Sequence, residues 1–150
     1  MIEKDTVRLL RECDAGIKMG VKSISDVLDR VENEDMFKLL NTCKDEHDKL
    51  DMELGSLLNK YQDEGKDPNF MAETMAKIKT EVKLQMNETD NTIADLMTDG
   101  CNMGVKSLNK YLNQYAAADE KSKDITKRLI NLEAQLAIDL RKFLWKKHHF

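Results

Sequence analysis

GIKMGVKSI occupies residues 16–24, and GCNMGVKSL occupies residues 100–108. The two stretches lie eighty-four residues apart and agree at seven of nine positions, counting Ile24 and Leu108 as equivalent apolar residues. The period of the surrounding apolar residues shows what is being repeated. Around the first copy, Val7, Leu10, Asp14, Ile17, Val21, Ile24, Leu28 and Val31 alternate steps of three and four, which is one face of a helix. This predicts a first helix from about Lys4 to Val31, with Asp5 or Thr6 as its cap. Asp14 is the one polar member of its seam.

Asn33 begins a reversal, and a second seam follows: Met36, Leu40, Cys43, His47, Leu50, Leu54, Leu57 and Tyr61. His47 stands inside it. The segment QDEGKDPN at 62–69 contains Gly and Pro, which end a helix. Helical spacing resumes from Phe70 to Tyr115, but a single rod of that length would span about 70 Å, against about 42 Å for the second helix. The apolar phase also slips near 87–91. The region therefore divides into an amphipathic segment over 70–86 (Met71, Met75, Ile78, Val82, Met86) and a third core helix over 91–116 (Ala94, Thr98, Cys101, Val105, Leu108, Leu112, Tyr115). A loop over 116–123 leads to a fourth helix from Asp124 to about Lys146, carried by Leu129, Glu133, Leu136, Leu140 and Phe143.

The repeat aligns the first helix with the third. The reading is all-α: a single domain over 1–150 made of one hairpin at 4–61, a long, partly helical crossover at 62–90 and a second hairpin at 91–146. Two hairpins joined in this way place the first and third helices side by side and antiparallel, the ferritin-like form of the four-helix bundle. The chain resembles the ferritin-like superfamily over most of its length. It also resembles a group of bacterial proteins with ferritin-like bundles, in which a Met-rich connection precedes a helix reading like IADLMTDGCNMGVKSL, residues 93–108 here. That resemblance implies fold and not mechanism.

The repeat carries Gly16 and Gly20 in one copy and Gly100 and Gly104 in the other. Each Gly inside a helix costs roughly 1 kcal/mol against Ala. Four at equivalent places predict close approach of the first and third helices, with ligand access to bare backbone as the alternative.

Ferritin-like metal proteins supply a carboxylate from each of two helices and Glu-x-x-His from each of the other two. This chain offers Asp14, with Glu12 on a more exposed face. It has Glu46 directly before His47 rather than three residues earlier. Thr98 stands on the third helix, with Asp99 off its seam. On the fourth, Leu136 stands three residues after Glu133, where a His would be required. Neither Glu-x-x-His is intact, which weighs against di-iron chemistry. Asp14, His47 and Glu133 still fall at similar depth, and Cys43 stands one turn before His47. Two arrangements follow. In one, these groups hydrogen-bond each other because an unpaired buried charge is costly. In the other, Asp14, Cys43, His47 and Glu133 hold a single Zn or Fe ion.

Composition narrows the rest. One Pro, six Gly, 41% apolar, 35% charged and only 5% aromatic residues are the profile of a helical bundle. The net charge of −4 is mixed along the chain, with no basic stripe for nucleic acid. No apolar run approaches the ~20 residues of a membrane span, and the N-terminus lacks a signal peptide's apolar stretch. Cys13, Cys43 and Cys101 are odd in number and lack CxxC spacing, so they read as reduced thiols in a cytoplasmic protein. The Met-rich segment at 70–86 reads as packing across the bundle, or as a face for a partner helix. The tail from Trp145 to Phe150 reads as a frayed end or a small docking patch. No phosphate loop or Ser/His/Asp arrangement is present. The expectation is a structural or interaction module, self-associating and most simply dimeric, with no cofactor. A degenerate metalloprotein with one Zn or Fe ion and a redox or storage role is the alternative.

Overall fold

The computed structural model describes residues 3–61 and 89–145. These residues form four α-helices: α1 (Lys4–Leu28), α2 (Glu34–Lys60), α3 (Thr89–Gln114) and α4 (Glu120–Asp139). A short 3₁₀ turn over Leu140–Phe143 extends α4. The expected break at 62–69, the Met-rich stripe at 70–86 and the tail beyond Trp145 lie outside the described residues. No described helix is long and apolar enough to cross a membrane.

Local chemistry sets the boundaries. Asn33 caps α2 by accepting from the Met36 N–H at 3.0 Å, and Glu34 and Asp35 favour the positive end of the helix dipole. Every expected seam position of α2 from Met36 to Leu54 is buried. α1 ends at Leu28, three residues short of the expected limit. The Arg30 and Val31 amides turn back to the Val27 and Leu28 carbonyls and tighten the chain into the reversal. α4 begins at Glu120, four residues earlier than expected, because Asp119 accepts from the Ser122 N–H at 2.8 Å and caps it. It ends as a regular α-helix at Asp139, earlier than Lys146, where the last turn tightens to 3₁₀.

Asp5 and Thr6 do not cap α1. Glu3 is the cap residue and makes no side-chain bond to the helix. The Asp5 and Thr6 oxygens instead accept from amides of the α3–α4 turn: Ala117 N–H to Asp5 at 3.2 Å and Asp119 N–H to Thr6 Oγ1 at 2.8 Å. The other end of the bundle has the mirror arrangement. Glu32 and Asn33 N–H groups of the α1–α2 turn donate to the two carboxylate oxygens of Asp90 at 2.9 and 3.0 Å. Each turn is thus held by the first turn of a helix from the opposite hairpin.

These bonds fix the directions. The start of α1 meets the end of α3, and the end of α1 meets the start of α3, so the two run antiparallel. The Tyr61 hydroxyl, at the end of α2, donates to Asp119 at the start of α4, so α2 and α4 are also antiparallel. α2 and α3 therefore run parallel, with Tyr61 and Thr89 at opposite ends of the bundle. α1 packs most extensively on α2, and α3 on α4. Arg128 joins α4 to α2 through a bidentate contact with Glu53 at 2.6 and 2.8 Å. That contact is solvent-exposed and contributes at most about 1 kcal/mol.

The core is divided in two. Ile24, Met36, Leu40, Ile93, Met97 and Leu140 belong to one apolar cluster. Leu10, Ile17, Leu54, Leu108, Ile125 and Leu129 belong to another. Gly20, His47, Gly104 and Glu133 fall between them on the four helices.

Thr6 is buried and its oxygen is the Asp119 amide's acceptor. Thr6→Val keeps the shape but orphans that amide, which costs roughly 1–3 kcal/mol. Urea unfolding should show this loss for Thr6→Val and little change for Thr6→Ser. Equal stability of the Val variant and the wild type would refute the clamp.

Candidate functional site

His47 and Glu133 meet at the waist between the two apolar clusters. His47 Nε2 lies 2.7 Å from Glu133 Oε1. His47 Nδ1 lies 2.8 Å from the Cys43 carbonyl oxygen, one turn back on α2, and 3.6 Å from the Cys43 sulfur. With both nitrogens facing acceptors, the ring is held as the doubly protonated imidazolium. Burial alone would lower its pKa. The hydrogen bonds to Cys43 and Glu133 and the negative charge of Glu133 outweigh burial and push it up to about 10.

Helix geometry explains the meeting. His47 stands fourteen residues after the cap Asn33, and Glu133 fourteen after the cap Asp119. With α2 and α4 neighbouring and antiparallel, equal distances from opposite ends bring the two side chains to one level.

The other expected site residues are distributed as follows. Cys43 adjoins His47. Asp14 is buried, but its carboxylate pairs with Lys18 one turn along α1, at 2.7 Å. Its charge, after burial itself, helps raise the pKa of Asp51. The structure therefore brings Cys43, His47 and Glu133 together, and the His47 ring bonds Cys43 and Glu133 rather than Asp14. Among the described residues, no three His, Cys, Asp or Glu side chains are grouped so as to hold a metal ion. Thr98 donates to the Ala94 carbonyl of its own helix. Cys101 was legible only as a seam residue, yet its thiol hydrogen-bonds Glu133. Burial first, then the charge and hydrogen bond of Glu133, hold that thiol far above the usual range. Burial likewise pushes Cys13 up to about 12, although its contact with Thr126 pulls the other way. Neither thiol is a nucleophile at neutral pH.

The glycines do not make the expected close contact between α1 and α3. A Cβ on Gly16 would touch Leu129, and one on Gly104 would touch Glu133, each at 3.7 Å. A Cβ on Gly20 would lie 2.8 Å from the His47 ring, whereas one on Gly100 would meet nothing within 4 Å among the described residues. The helices are instead separated by a cleft of about 400 Å³. All four glycines line it, His47 and Glu133 lie at its base, and Met19, Met97 and Met103 are among its walls. Close approach does occur at Gly20, but to a side chain of α2 rather than to α3.

No protein-family model, curated protein or solved structure matches the chain.

Two measurements test this geometry. Gly100→Ala adds a methyl to open space and removes a helix-interior glycine, so it should stabilise by up to about 1 kcal/mol. Gly20→Ala must displace His47 from Glu133 and should destabilise. Thermal melts in which both shift the same way would contradict the assigned environments. The second measurement is pH dependence. His47 titrates near 6.5 when unfolded and near 10 when folded, so its contribution is complete below about pH 6.5 and is lost as pH rises through about 10. The Tm advantage of wild type over His47→Gln should shrink steadily between pH 7 and 10. A constant difference across that range would show that the ring is not held as the cation.

Proposed function

We propose that this chain is a non-catalytic, ferritin-like bundle that acts by binding, as a structural or interaction module. The observation that carries this reading is that both ring nitrogens of His47 are engaged by protein atoms. The parallel run of α2 and α3, which begins at Thr89, two residues before the expected 91, supports the ferritin-like order, in which a long connection joins these two helices. The group that would serve as a ligand in a metalloprotein serves here as one half of a buried pair. The neighbouring Cys101 thiol, raised first by burial, stays protonated at neutral pH. Free, buried Cys13, Cys43 and Cys101 suit a reducing cytoplasmic setting. Phe37, Ile138, Leu144 and Trp145, exposed around the start of α2 and the end of α4, suit a protein contact, including a homodimer.

The reading of Asp14, Cys43, His47 and Glu133 as ligands of one Zn or Fe ion loses a carboxylate, because Asp14 is paired with Lys18. The remaining three make a hydrogen-bonded set without vacant donors at His47.

Metal analysis of untagged protein should find far less than one Zn or Fe per chain, and chelator should leave Tm unchanged. Removing one partner of a buried pair costs about 3–5 kcal/mol, while replacing both by apolar residues is often neutral or stabilising. His47→Leu should therefore destabilise strongly, and His47→Leu with Glu133→Leu should recover much of the loss. Stoichiometric metal, with a chelator-sensitive Tm that depends on His47, would replace this proposal with the metalloprotein reading.

A further inference from the structure

Gly100 is hard to explain by folding. It weakens α3 as a helix, and among the described residues nothing lies within 4 Å of where its side chain would be. Gly55 on α2 is equally open but faces solvent, whereas Gly100 borders a space between two helices that a side chain there would enter. That space is the cleft between α1 and α3, large enough for a small molecule.

The chemistry of the cleft defines what fits. Gly16 and Gly20 on one side and Gly100 and Gly104 on the other border the cleft without side chains of their own, the His47 ring lying against Gly20 and Glu133 against Gly104, so the space between the two helices suits a flat body. Met19, Met97 and Met103 supply thioethers, which pack favourably against the edges of aromatic rings. At the base, Glu133 Oε1 accepts from His47, and Oε2 is the Glu133 atom nearest to the Cβ position of Gly104, at 3.7 Å. A carboxylate offers about four lone-pair sites. His47 and the Cys101 thiol occupy two of them, which leaves acceptor capacity on a residue that lines the cleft. The His47–Glu133 pair carries no net charge, and the other two charged residues of the lining, Glu12 and Lys110, are of opposite sign, so the cleft as a whole offers no net charge to balance a charged ligand.

We propose that the α1/α3 cleft is a binding site for a small, neutral aromatic molecule of the phenol class, its ring between the glycine-lined helices and its hydroxyl donating to Glu133. This deepens the binding reading above and rests on the pair being free of metal.

The test is a calorimetric titration of the full chain with 4-ethylphenol, on the same sample whose metal content has been measured. Metal content judges the parent reading and the titration judges this one, so either can fail alone. One site with submillimolar affinity is expected. Ethylbenzene, which lacks the hydroxyl, and 4-ethylbenzylamine, which is cationic, should each bind at least tenfold more weakly. Gly100→Leu, which fills the cleft, should abolish binding while Tm is maintained or raised. A readout on the wild type needs no variant: with methyl-labelled methionine, 4-ethylphenol should shift the signals of Met19, Met97 and Met103 and leave Met52, exposed on α2, unmoved. No binding at 5 mM probe overturns the site, as does binding unchanged in Gly100→Leu or methyl shifts confined elsewhere. Equal or tighter binding of ethylbenzene or the amine overturns the assigned ligand class.

Discussion

The bond between His47 and Glu133 is the constraint around which the bundle is organised. It places two ionisable groups where the four helices converge, between an upper and a lower apolar cluster. Half-buried Leu132, next to Glu133, packs against both clusters and joins them across that level. Burying either group alone would be severely destabilising. Helix packing at the waist must therefore hold α2 and α4 in one register, to within the tolerance of a hydrogen bond. Gly20 is part of the same constraint. The imidazole edge lies where a side chain on α1 would project, so α1 has none there.

The register is set far from the waist. At one end, Asp5 and Thr6 receive the amides of the α3–α4 turn. At the other, Asp90 receives those of the α1–α2 turn. Six or seven turns of helix separate these clamps, and together they orient each hairpin against the other. His47 and Glu133 then coincide because both lie equally far from the capped start of their helices. The caps Asn33 and Asp119, which look like local features, determine a contact between residues eighty-six apart.

Much of this was legible in the sequence, and the failures have physical causes. Apolar periodicity gave four helices and nearly all of the seam on α2, because a seam position in a helix of that length has little freedom. It also gave Asp14, His47 and Glu133 as inward-facing polar groups. It did not give their partners. Asp14 has Lys18 one turn away, and a local partner with a long, flexible stem competes well with groups on other helices. Asp5 and Thr6 had the right chemistry for a cap, but chemistry alone does not distinguish an amide of their own helix from one across the bundle. The glycines show the same limitation. Their spacing located the α1–α3 face correctly, yet a residue pattern specifies which sides of two helices turn towards each other and not how far apart they stand. Here the distance leaves a cleft. Cys101 was visible as a seam residue, but its bond to Glu133 depends on the depth at which α3 passes α4.

The placement of the pair carries one more consequence. His47 and Glu133 occupy corresponding positions in the two hairpins. A bundle assembled from two copies of one hairpin would present the same residue to itself there, either imidazole to imidazole or carboxylate to carboxylate. Neither combination can form this bond with both groups charged, since like charges repel and one would have to give up or take a proton. Joining both hairpins in a single chain removes that restriction, because the two positions can differ. An acid can then face a base at the centre of an otherwise repetitive structure.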